Sequence, residues 1–160
     1  MTDLLVKLYT LPPLEPVLAQ QQAQGVTIRR GLAPEKHLVI DWVGRRFSPA
    51  WASECDVAFS RQPVACFIAL AGDQLAGFAC HDATYRNFFG PTGVDQVQRG
   101  RGIGQALLLA CLHAMAAQGY AYAIIGDVGP AEFYTKTVGA IEIPDSTPGI
   151  YGGLLTAEQR

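Results

Sequence analysis

The residues best suited to chemistry lie in "VQRGRGIGQALLLACL", residues 97–112. Gly100, Gly102 and Gly104 occupy alternate positions, separated by Arg101 and Ile103 and preceded by Arg99. An unbroken apolar run then begins, with Leu107, Leu108, Cys111, Leu112 and Met115 at helical spacing up to Gly119. A glycine-rich loop that opens directly into a helix is an anion site. The first helical turn carries backbone N–H groups without internal partners, and the helix dipole favours negative charge there. Glycine lets the backbone approach a phosphate without a Cβ in the way. Two arginines add donors and positive charge in a chain whose net charge is -2. Two phosphate motifs are excluded. The dinucleotide fingerprint needs a third glycine where Gln105 stands, and no Gly-Lys-Ser/Thr triplet follows to make a P-loop.

These residues must be held by a fold. The chain has 160 residues, of which 49% are hydrophobic and 16% charged, enough for one domain around a single core. That charge balance gives no general attraction to nucleic acid or to an anionic membrane. "MTDLLVKLYTLPPLEPV" does not read as a signal peptide, because Asp3, Lys7, Pro12 and Pro13 interrupt it, and no window is apolar enough to span a bilayer. Cys55, Cys66, Cys80 and Cys111 form no C-x-x-C pair and read as buried thiols of a reducing cytoplasm.

Periodicity predicts a strand over 4–11, a helix over 14–25, a strand over 26–30 and helices over 33–47 and 49–60. A buried strand over 64–70, a turn at 71–74 and a strand over 75–82 make a hairpin. A further strand over 85–94 contains "GPTG". Pro91 flanked by Gly90 and Gly93 predicts a bulge or a splay there. After the loop and its helix come a strand over 120–125, a short helix over 130–139, and closing strands in "AIEI" and "GIYGGLL". The order is that of an α/β fold with a mixed sheet flanked by helices.

The spacing R-x-x-G-x-G (Arg99, Gly102, Gly104) resembles the acetyl-CoA-binding motif of the GCN5-related N-acetyltransferase (GNAT) family. Val94 stands five residues ahead of Arg99, as a valine often does there. "FYTKTVGA" resembles the family's downstream segment, with Phe133, Tyr134, Lys136 and Gly139. It departs by one extra residue before Gly139 and by Ala140 where an aromatic residue is common. The resemblance spans about residues 25–153. Residues 1–24 are then an N-terminal strand–helix extension packed on a GNAT domain of residues 25–160.

The resemblance implies a centrally splayed sheet, the acyl-CoA N-acyltransferase fold. Pantetheine would lie in the splay and pair with Val94. Amides from Arg99, Gly100, Arg101, Gly102, Ile103 and Gly104 would hold the pyrophosphate. Acetyl-CoA would be the co-substrate, with no metal. The implied reaction is direct transfer of acetyl to a primary amine of a small molecule, with Tyr134 protonating the departing thiolate. Two other functions stay open: protein N-acetylation, and a non-catalytic CoA-binding sensor. Asp127 takes a place where relatives often contact CoA. An alkylamine with a pKa of about 10.4 must lose a proton before it attacks. Asp82, His81, Glu54, Asp56 and water are the candidate bases. Phe133, Trp42 and Trp51 are expected in the core. A homodimer is left open.

Overall fold

A computed structural model describes residues 2–157 of the chain; Met1 and residues 158–160 lie outside it. Seven strands form one sheet in the order β2-β3-β4-β5-β6-β1-β7. They are β1 (Leu4–Lys7), β2 (Val26–Arg30), β3 (Cys66–Ala71), β4 (Gln74–His81), β5 (Phe88–Val94), β6 (Tyr122–Ile125) and β7 (Ile141–Glu142). Among the described residues, five α-helices cover its faces: α1 (Glu15–Ala23), α2 (Lys36–Arg46), α3 (Pro49–Phe59), α4 (Ile103–Ala117) and α5 (Ala131–Val138).

The core is divided by the sheet into two parts. One joins the sheet to α4 and α5, with Leu107, Leu108, Leu112 and Met115 fully buried against Leu4, Val6 and Phe89. The other joins the opposite face to α2 and α3 through Val39, Trp42, Cys55, Phe59 and Phe78. Every side chain from Leu107 to Leu112 is buried, because α4 is wrapped by the sheet, α1 and the N-terminal turn.

All strand pairs are antiparallel except β5 with β6. That parallel pair is joined through α4, as a parallel pair requires a crossover. It is also very short: only Phe88 and Phe89 pair, with Ile124 and Ile125. From Gly90 onward β5 continues alone on that side, and the sheet opens into a wedge.

The expected irregularity in "GPTG" causes this opening. Ala79 pairs with Thr92 and His81 with Phe89, so two steps along β4 match three along β5. The extra residue falls at Gly90–Pro91. Proline has no N–H for the ladder, and Gly90 takes φ 121°. A bulge there bends β5 away from β6.

Several expectations need correction. The first strand stops at Lys7, and residues 8–10 form a 3-10 turn ahead of Pro12 and Pro13. β1 lies inside the sheet between β6 and β7, with Leu4 and Val6 fully buried. "GIYGGLL" is not a strand. Residues 149–151 form a 3-10 turn, with Gly149 and Gly153 at positive φ, a conformation no strand sustains. "AIEI" keeps only the two residues of β7. Phe133 is half-exposed rather than core, because α5 is short and presents it to the wedge.

Candidate active site

The wedge between β5 and β6 is a cleft of about 540 Å³. Phe89, Thr92, Gly93 and Val94 of β5 form one wall, and Pro130, Phe133 and Tyr134 form the other. Its mouth is the glycine loop, with Arg99, Gly100, Gly102, Ile103 and Gly104. Thus every predicted cofactor residue except Arg101 and Asp127 lines this one cleft.

At the mouth, Gly100 and Gly102 stand at φ 83° and 80° on either side of Arg101. Left-handed residues alternating with ordinary ones turn successive N–H groups inward, which makes a concave anion nest. Gly102 caps α4, and the first helical hydrogen bond runs from Ala106 N to Gly102 O. The N–H groups of Ile103, Gly104 and Gln105 therefore precede the helical ladder and remain for a ligand. Gly104 has ordinary backbone geometry, and a Cβ there would meet only Val94 Cγ2 at 3.7 Å.

The two arginines divide. Arg99 is exposed at the mouth, and its Nε donates to Val94 O at 3.3 Å. Arg101 turns away from the cleft. Its guanidinium donates to Gln24 O at 2.8 Å and to the side chain of Gln98. Any contribution of Arg101 to anion binding is made through its backbone.

At the inner end, Tyr134 is 7% exposed and packs edge-on against Phe89 and Phe133. Burial pushes its hydroxyl up to about 12, with no hydrogen bond contributing. The group therefore keeps its proton throughout the neutral range and can donate it. α5 starts after Pro130 and stops at Gly139, whose φ of 66° closes the helix, so Tyr134 is fixed at its centre.

The candidate bases separate clearly. His81 and Asp82 lie at the other end of the sheet, by the C-terminus of α4, about 20 Å along that helix from the nest. Asp82 has φ 53°, so it has left the strand that ends at His81. Its carboxylate accepts from Tyr120 Oη and from Asn87 N, each at 2.8 Å, and meets His81 Nδ1 at 2.7 Å. This pair closes the loop before β5 and does not reach the cleft. Asp56 is exposed and paired with Lys36 at 2.7 Å.

Glu54 is different. It is half-buried on α3 and accepts from Thr84 Oγ1, and burial raises its carboxyl. It belongs to a polar group on the face of the sheet opposite α4. Tyr151 reaches this group from the C-terminal turn and is pushed up to about 12, first by burial and then by Glu54, Asp3 and Asp127. Gly126, just beyond β6, makes room for that ring: a Cβ there would strike the Tyr151 hydroxyl and Phe88. Asp127 sits here too, at φ 49°, with its N–H donating to Asp3 Oδ1 at 3.2 Å. Composition gave no hint of Tyr151 or Asp3, because both come from chain ends that fold over the tip of β6.

Trp42 is buried, and Trp51 is half-buried beside Phe47 and Phe78, as core residues. Cys55, Cys66 and Cys80 bring their sulfur atoms within 4.8 Å of one another inside the same apolar core. Burial drives the Cys80 thiol well above its usual range, whereas hydrogen bonds with Cys66 and Cys80 lower the Cys55 thiol. Among the described residues, no helix is long and apolar enough to cross a membrane.

The model of the acetyltransferase (GNAT) family matches residues 36–140. No curated protein matches the sequence significantly. Among solved structures, a GCN5-related glucosamine N-acetyltransferase region of a fungal multi-domain GH3 β-N-acetylglucosaminidase shares 16% identity over 89% of this chain and 19% of its own, with TM-score 0.72. A GCN5-related N-acetyltransferase from Sphaerobacter thermophilus shares 18% identity over 89% of this chain and 48% of its own, with TM-score 0.62. One from Kribbella flavida shares 15% over 88% and 53%, with TM-score 0.57. The chain spans about half or less of the length of these proteins. At such identities the likeness is one of fold: the open mixed sheet flanked by helices.

Proposed function

The chain belongs to the acetyltransferase (GNAT) family, and on that premise we propose that it transfers acetyl from acetyl-CoA to a primary amine of a small molecule by direct attack. The observation that carries this reading is the continuity of the cleft. It runs from an amide nest suited to a pyrophosphate, along an unpaired strand edge, to a tyrosine that keeps its proton.

Acetyl-CoA supplies an activated acyl group as a thioester. The nest amides hold its pyrophosphate, aided by Arg99. β5 beyond Phe89 has no partner toward β6, and its free edge at Thr92–Val94 can pair with the pantetheine amides. This directs the thioester toward Tyr134. The acceptor amine enters from the other face, past Glu54, Tyr151 and Asp127, where negative charge attracts an alkylammonium ion. Glu54 takes a proton from that ion, directly or through water. The nitrogen lone pair then forms the C–N bond as the C–S bond breaks, and the nitrogen releases its second proton to solvent to leave the neutral amide. Tyr134 gives its proton to the departing sulfur and regains one from solvent. Asp127 serves the acceptor side rather than the cofactor.

Thiol release from acetyl-CoA, measured over polyamines, amino acids, amino sugars and aminoglycosides, tests the proposal. At least one amine is expected to give stoichiometric CoA and acetylated amine. Hydrolysis at the same rate with and without every amine, including peptide amines, would contradict transfer. The base assignment has its own signature. Because burial raises Glu54, kcat/KM should climb with pH through an inflection above the ordinary glutamate range. Glu54→Gln should remove that inflection and lower kcat/KM by about 10²-fold. An unchanged profile would assign the proton to water alone.

A further inference from the structure

The phosphate loop is held from behind by residues of α1, which lies outside the segment matched by the family model. Gln21 is 2% exposed, an unusual burial for a glutamine. Its Nε2 donates to Arg101 O at 2.9 Å. Gln24 Nε2 donates to the same oxygen at 2.7 Å and also lies 3.0 Å from Gln21 Oε1. The contact is reciprocal, since Arg101 donates to Gln24 O at 2.8 Å. One carbonyl thus has both lone pairs occupied by side chains about 80 positions earlier in the sequence.

That carbonyl belongs to the peptide whose N–H is that of Gly102. A trans peptide is planar and its N–H points opposite its C=O. Fixing the oxygen on α1 therefore aims the Gly102 N–H away from α1, toward the cleft mouth that Gly102 lines. Two hydrogen bonds to the oxygen also polarise the amide and strengthen its N–H as a donor. Glycine at 102 also makes room for the clamp, because a Cβ there would lie 3.1 Å from Gln21 Nε2.

We infer that Gln21 and Gln24 are positioning residues for the anion site, clamping the Arg101–Gly102 peptide so that the nest is formed before the ligand arrives. The inference rests on the reading of the cleft as an acetyl-CoA site. A preformed nest avoids the entropy of ordering a glycine-rich loop on binding.

Gln21→Met and Gln24→Met keep side-chain length and remove the donors. Dissociation constants are measured by calorimetry for CoA and for pantetheine, which lacks the pyrophosphate. Amide hydrogen exchange is followed at Gly100–Gly104 in the unliganded protein. The double variant should bind CoA about tenfold or more weakly, bind pantetheine within about twofold of wild type, and exchange its loop amides faster. Gln24 is exposed, so Gln24→Met alone keeps the test valid if the buried substitution unfolds the chain. It should show the same selectivity at smaller size. CoA affinity unchanged, or CoA and pantetheine weakened in parallel, would overturn the clamp. Wild-type protein that binds CoA no tighter than pantetheine would instead overturn the acetyl-CoA reading, and the clamp with it.

Discussion

Tyr134→Phe should reduce kcat by about 10²-fold or more on the true acceptor, while acetyl-CoA affinity stays within about twofold of wild type. The substitution keeps the ring, and with it the packing on Phe89 and Phe133. Only the hydroxyl goes, and among the described residues that hydroxyl makes no hydrogen bond that would be left unpaired. Stability at neutral pH should therefore change by less than about 0.5 kcal/mol. The pH dependence of stability gives an independent check. The folded protein holds this proton up to about 12, against 10.0 for an ordinary tyrosine. The associated stability is complete below pH 10 and lost as pH rises through 12. Tyr134→Phe should flatten that part of the alkaline unfolding curve, shared with Tyr151, which is shifted alike. Normal turnover in the variant would end the assignment of Tyr134 as the acid.

Gly102→Val should abolish measurable CoA binding and also lower the melting temperature. Gly102 sits at φ 80°, where a β-branched residue is strained by about 1–2 kcal/mol, and the new side chain would press on Gln21. Both effects follow from one peptide, so this variant alone does not isolate phosphate approach. Gly104→Ala does. Its backbone is ordinary and its nearest neighbour, Val94 Cγ2, is at 3.7 Å, so the fold should be untouched. A methyl on the first turn of α4 nevertheless stands beside the amides that meet the phosphate. CoA should bind about tenfold more weakly to Gly104→Ala, with a melting temperature at or slightly above wild type, because alanine favours the helix over glycine. Equal affinity would reduce the loop to a connector.

Much of this was legible in the sequence, for reasons that differ by element. The loop could be read because glycine at positive φ and a helix start leave strong compositional marks. β5 could be read as irregular because Pro91 cannot join a ladder. Tyr134 came from resemblance, and the structure gives it a cleft and a retained proton. The failures share one cause: contacts between distant parts of the chain. Nothing in "LLVKLYTL" says that it enters the sheet between β6 and β7, since an alternating strand fits many neighbours. Nothing in "QQQAQ" separates Gln21 from the exposed Gln22, because burial there depends on Arg101. Asp82 looked available at a strand end, yet it is consumed by His81, Tyr120 and Asn87. Tyr151 sat in a stretch read as a strand, and its role depends on a turn built from Pro148 and Gly149.

Acetyl-CoA binding to the wild-type protein tests the central claim most directly. A ligand that binds only the folded state adds RT ln(1 + [L]/Kd), about 2.7 kcal/mol at a hundredfold excess over Kd. For a chain of this length that raises the melting temperature by about 5–10 °C. The predicted result is a saturable rise of this size with acetyl-CoA, and a smaller one with pantetheine at equal concentration. A melting temperature unmoved by millimolar acetyl-CoA would contradict the account.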